Sequence, residues 1–131
     1  MVGRIAGLLL LGMSSGCAPY LSALTTPPPL RTAQLDDWAQ TVELSVGVAL
    51  AFSCDDWTAM PCQGAKASVE DTAVAQVYPA HLNQLSRDWG PGQRGPRAET
   101  GFVIAGLKPG STTLHVMSED GDVAFAVKVV P

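Results

Sequence analysis

Three cysteines, Cys17, Cys54 and Cys62, are the side chains of this protein best suited to chemistry. A thiol can be oxidised, acylated, bound to metal or used as a nucleophile. Cys54 and Cys62 flank the short polar loop DDWTAMP, and in an oxidising compartment they can pair. Cys17 is then left over, and an odd cysteine in an exported chain needs a role of its own. Zinc needs about three or four converging ligands. With Cys54 and Cys62 oxidised, His81 and His115 are the remaining candidates and the set is incomplete. Glu119, Asp120 and Asp122 lie on a hairpin turn and fall short of the roughly six to eight oxygens of a calcium loop. Asp55 and Asp56 read as solvated loop acids. Nucleophilic catalysis needs a base and an orienting group beside the nucleophile, and no motif sets a serine beside either histidine. The sequence therefore argues for no catalytic residue, no metal site and no cofactor.

The first sixteen residues, MVGRIAGLLLLGMSSG, hold one positive charge, Arg4, then an apolar run from Ile5 to Met13 and the small residues Ser14, Ser15 and Gly16. The run is about half of the ~20 residues that a spanning helix needs. It reads as a cleaved secretory signal over residues 1–16. The whole chain carries a net charge of −4. Removing Arg4 leaves seven cations against twelve acids, 7 − 12 = −5. That balance argues against nucleic acid, which needs a basic stripe.

SSGC at the end of the leader resembles the lipobox of bacterial lipoproteins, although that family prefers leucine where Ser14 stands. The resemblance implies acylation of Cys17. Two or three acyl chains anchor firmly, since each buried CH₂ contributes about 0.8 kcal/mol. Ala18 after the cysteine, rather than aspartate, implies the outer membrane, facing the periplasm or the cell surface.

Residues 17–40 read as a lipidated tether, because Pro27, Pro28 and Pro29 favour an extended, semi-rigid spacer. Within it, LDDWAQ is compatible with a helical turn or a lead-in strand. From Val42 the pattern changes. Val42, Leu44, Val46, Val48, Leu50 and Phe52 alternate with smaller or polar residues, which is the period of a strand with its even positions inward. Gly47 marks a bend where the chain leaves one sheet for another. Strands are expected at Ala67–Val69 and Ala73–Tyr78, with Glu70 and Asp71 in the turn between them. GFVIAGL, STTLHVMS and VAFAVKVV supply three more, with Lys108-Pro109-Gly110 and Asp120-Gly121 as turns. About seven short strands predict one all-β, immunoglobulin-like antiparallel sandwich over residues 41–131.

His81–Thr100 carries no apolar period and reads as a long inserted loop, a kind that is commonly functional. Its Arg87, Trp89, Arg94 and Arg97 include the residue types enriched at interface hot spots and are the candidate protein-binding residues. Trp57 is a second anchor or a cover for the disulfide.

The spacing Asp71, Val74, Ala75, Val77, Ile104, Gly106, Pro109, Gly110, Thr112 or Thr113, Leu114 and Gly121 resembles two bacterial β-domains. One is the group-2 immunoglobulin-like domain. The other, which fits better, is the small domain at the N-terminus of pilus-assembly secretins. The resemblance implies a non-enzymatic envelope lipoprotein, a structural or protein-binding module accessory to pilus or secretion assembly. Its expected partners are the membrane, through the N-terminal lipid, and an envelope protein. A surface adhesin and a small metal-binding protein are the alternative readings.

Overall fold

Alternating apolar residues build two facing sheets that bury one shared core. The computed structural model describes residues 18–83 and 98–131, with side-chain surroundings for 18–80 and 101–131. Nine strands are described: β1 Tyr20–Ala23, β2 Ala33–Asp36, β3 Thr41–Ser45, β4 Ala49–Asp55, β5 Lys66–Val69, β6 Ala75–Asn83, β7 Ala98–Gly106, β8 Gly110–Ser118 and β9 Gly121–Val130. They form a four-stranded sheet, β1-β4-β7-β6, and a five-stranded sheet, β2-β3-β9-β8-β5. In immunoglobulin terms β4, β7 and β6 stand as strands B, E and D, and β5, β8 and β9 as C, F and G. The first strand is divided, with β1 in one sheet and β3 in the other.

The even positions from Val42 to Phe52 do turn inward: Val42, Leu44, Val48, Leu50 and Phe52 are buried, and only Val46 is partly open. Gly47, at φ +78°, is the bend between sheets. Its N–H donates to the carbonyl of Gly106 at 2.8 Å, and the Gly106 N–H donates to Val48 at 3.0 Å. A Cβ on Gly106 would lie 2.9 Å from the Ser45 carbonyl oxygen, so this strand end needs glycine for close approach rather than for a turn. Leu114 and Val116 on β8, and Val123, Phe125, Val127 and Val129 on β9, close the core from the other side. Phe52 and Phe102 stack with ring centroids 5.6 Å apart.

The all-β sandwich expected from the alternation is present, and its details need correction in four places. The segment read as a tether is part of the sandwich: β1 pairs antiparallel with β4, and β2 with β3. The three prolines lie in the link that carries the chain from one sheet to the other. The described strands number nine, because β1 and β2 add to the expected set. One pair, β3 with β9, is parallel. The inserted loop is shorter than its composition implies, because β6 and β7 continue as a hairpin through His81↔Thr100, Leu82↔Glu99 and Asn83↔Ala98. Pro79 lies in β6 at the sheet edge, the place in a sheet where proline is tolerated.

Candidate functional site

Chain direction gathers one set of connections at the end of the sandwich where β1 begins, its N-terminal end. β4 arrives there at Asp55 opposite Tyr20, so the Cys54–Cys62 loop opens beside the N-terminus. β3 starts there, which brings the β2–β3 turn, residues 37–40, to the same end. The β8–β9 turn joins them, since the Glu119 N–H donates to the carbonyl of Gln63 at 3.0 Å.

Cys54 and Cys62 form a disulfide with their Cα atoms 5.4 Å apart. Both are buried in the core cluster. The Cys62 N–H donates to the Cys54 carbonyl at 2.9 Å, so the loop between them is a small hairpin closed by backbone and side chain together. Asp56 organises its tip. One carboxylate oxygen accepts from the Thr58 N–H at 2.8 Å, the Thr58 hydroxyl at 2.6 Å and the Met60 N–H at 3.0 Å. The Thr58 hydroxyl, followed by the backbone donors, holds the Asp56 carboxyl below its ordinary range, while desolvation opposes them. Ala59 adopts φ +61° within this turn. Trp57 and Met60 remain exposed on it.

Trp38 is a candidate that the sequence does not reveal. It stands on the β2–β3 turn and is 98% exposed. That turn is fastened on three sides. The Leu21 N–H donates to the Asp37 carboxylate at 2.9 Å, the Ala39 N–H donates to Asp36 at 2.9 Å, and the Ala126 N–H donates to the Gln40 carbonyl at 2.9 Å. A large apolar side chain is thus displayed on fixed backbone. An LDDW run does hint at Asx-type turns, but nothing local shows which way the tryptophan faces.

The remaining candidates do not converge. His115 lies on the outer face of β8, as its parity implied, and its Nε2 is 2.8 Å from a carboxylate oxygen of Glu70, the residue that follows the neighbouring strand β5. Glu119 and Asp120 form the turn before Gly121, and Asp122 pairs with Met117. Among the described residues no group of three or more His, Cys, Asp or Glu side chains could hold a metal ion. Two shallow depressions of about 350 and 330 Å³ lie on the outer face of the five-stranded sheet, one around Glu43 and Lys128, the other around His115 and Asp122. Cys17, Arg87, Trp89, Arg94 and Arg97 lie outside the described residues, as does the side chain of His81.

No family model matches this sequence. No curated protein matches it either. Among solved structures it is similar to domains 4 and 5 of the S-layer protein SbsC, with a TM-score of 0.47 and 19% identity over 81% of this chain and 54% of that one. Domains 5–6 of the same protein give 0.46 and 20% over 80% of this chain and 45% of that one. The chain therefore spans about half of the fragments it matches, and a smaller share, 21%, of the longer fragment of residues 31–844.

Proposed function

We propose that this chain is a non-enzymatic lipoprotein of the bacterial envelope, held in the outer membrane by acyl chains on Cys17. Its sandwich is a structural or protein-binding module, accessory to a pilus or secretion assembly. The observation that carries this reading is the Cys54–Cys62 bridge, buried in the core of the domain, and it is supported by the leader-like composition of residues 1–16. A bridge of that kind belongs to an oxidising compartment, and it uses two of the three cysteines, leaving Cys17 for lipid. The exposed groups at the N-terminal end suit contact: two tryptophans and a methionine on braced turns. Arg87, Trp89, Arg94 and Arg97 are the proposed protein-contact residues.

The test follows the lipid and the partner together. Wild-type protein should take up labelled fatty acid, fractionate with membranes and capture a defined set of envelope proteins. Cys17→Ser should lose the label and leave the membrane fraction. Replacing residues 84–97 by a few Gly and Ser residues should keep the label and lose the captured partners. Membrane association without label in Cys17→Ser, or identical partners after the replacement, would remove the anchor or the contact assignment respectively.

A further inference from the structure

The link between β1 and β2, residues 24–32, is longer than its path requires. It leaves the edge strand of one sheet at Ala23 and enters the edge strand of the other at Ala33. Stacked sheets lie about 10 Å apart, a gap that roughly three extended residues cross. The link has nine residues, so it bows outward. Both of its feet are fixed. The Leu24 N–H donates to the Ala51 carbonyl at 2.8 Å, and the Ala51 N–H donates to the Thr25 hydroxyl at 3.1 Å. At the other foot the Thr32 N–H donates to the Ser45 hydroxyl and the Ser45 N–H to the Thr32 carbonyl, both at 2.9 Å. The link leaves the far end of β1, away from Tyr20 and from Asn83 and Ala98 at the mouth of the β6–β7 hairpin.

Covalent constraint shapes the bow. Thr26, Pro27 and Pro28 each precede a proline, which favours the extended conformation at all three. Pro27, Pro28 and Pro29 are exposed. A turn then closes, with the Arg31 N–H donating to the Pro28 carbonyl at 3.2 Å. Leu30, third in this turn, has φ +61°. With proline before it, this is the arrangement of a type II turn, whose third position ordinarily holds glycine or asparagine. Leucine is unfavourable there, and at 104% exposure it gains no core contact in return. Arg31 beside it is exposed and carries the one charge of the link. Among the described residues it makes no ion pair. Extended prolines, an open leucine and a cation in one segment are the parts of a polyproline-type ligand, preformed so that little freedom is lost on docking. Such segments seat in aromatic-lined grooves, and the guanidinium selects a carboxylate.

We infer that the 24–32 link is a recognition segment for a partner protein with an aromatic-lined groove, Leu30 filling a pocket of that groove and Arg31 meeting a carboxylate at its rim. The inference is independent of the anchor at Cys17 and of residues 84–97. The test uses the full chain in its own cells, with the photo-crosslinker p-benzoylphenylalanine placed at Thr26 and, as a control, at Met117 on the outer face of β8. Irradiation should join the Thr26 position, and not the Met117 position, to one other protein. The linked peptide should lie among Trp, Tyr or Phe residues with an Asp or Glu beside them. Leu30→Gly and Arg31→Glu should each lower the adduct about tenfold or more, as loss of a hot-spot contact does. Exchange of the mapped carboxylate for lysine should restore the adduct of Arg31→Glu. Leu30→Gly should melt no lower than wild type, because glycine accepts φ +61° without strain. No adduct at Thr26, an adduct that survives Leu30→Gly, or one made with lipid, glycan or a second copy of this chain would overturn the inference. So would a Leu30→Gly variant that melts well below wild type, since the leucine would then serve the fold.

Discussion

The two ends of the sandwich are closed by different physics. At the end away from the N-terminus, backbone packs on backbone. The Gly47 N–H donates to the Gly106 carbonyl, the Gly106 N–H donates to the Val48 carbonyl, and the Val46 N–H donates to the Val130 carbonyl at 2.8 Å. At the N-terminal end the closures are a disulfide and aspartates that accept from backbone N–H groups. At Gly106 the first kind of closure leaves no room for a side chain, because a Cβ there would meet the Ser45 carbonyl at 2.9 Å. The second kind holds loops in place while leaving large side chains exposed. A surface meant for contact is better built the second way, since display and stability are then carried by different residues.

The sharpest break in that comparison is Gly106→Val. Its Cβ would fall 2.9 Å from the Ser45 carbonyl and 3.1 Å from Val129 Cγ1. Overpacking typically costs about 1–3 kcal/mol, and a clash with main chain belongs at the top of that range. Urea denaturation should show an unfolding free energy lowered by that amount, with loss of the Gly47–Gly106 hydrogen bond by amide exchange. A variant as stable as wild type would show that the corner yields and that glycine is not required there.

Cys62→Ser should come next, at about 2.5 kcal/mol for the closed loop. Reducing agent should lower the wild type to nearly the same midpoint and leave the variant unmoved. Loss of cooperativity is not expected, because Phe52, Phe102 and Phe125 remain packed. If reduction moved both proteins equally, the bridge would not be the source of the difference.

What is legible in the sequence follows the same division. The run from Val42 to Phe52 announces two strands and the bend between them, because side-chain parity and one glycine are local signals. The last two strands are legible for the same reason. β1 and β2 are not. Each has four residues and only one of them fully buried, Leu21 in β1 and Ala33 in β2, so neither builds a visible period. The neighbouring prolines then make the segment look like a spacer. The parallel pairing of β3 with β9 depends on the divided first strand, which no local pattern encodes. The extension of β6 is hidden by Pro79, which argues against a strand unless it lies at an edge. At the site, the disulfide is legible from spacing and cysteine count. Trp38 is not, because its exposure depends on Asp37 meeting Leu21, a contact between two segments that show no period of their own.

The smallest effect separates display from stability at the tip of the bridged loop. Asp56 is held ionised by Thr58 and Met60, so its folded-state pKa lies below the unfolded value. The sign follows from linkage: the folded state binds this proton less readily, so the stabilisation is complete above the ordinary aspartate range and is lost as pH falls through the lowered value. Asp56 lies at the surface, and solvent screening keeps the contribution small. The global melting temperature should therefore hardly respond to it. The local signal should respond fully. In an NMR titration the Thr58 and Met60 amide protons should move together below the ordinary aspartate range, with one shared midpoint. Asp56→Asn keeps a carbonyl acceptor but removes the charge. Its two amides should show no such titration, while Trp57 becomes less restrained and the overall fold melts as before. Amides that fail to titrate in the wild type would mean that the carboxylate does not organise the loop, and the display of Trp57 would then rest on the disulfide alone.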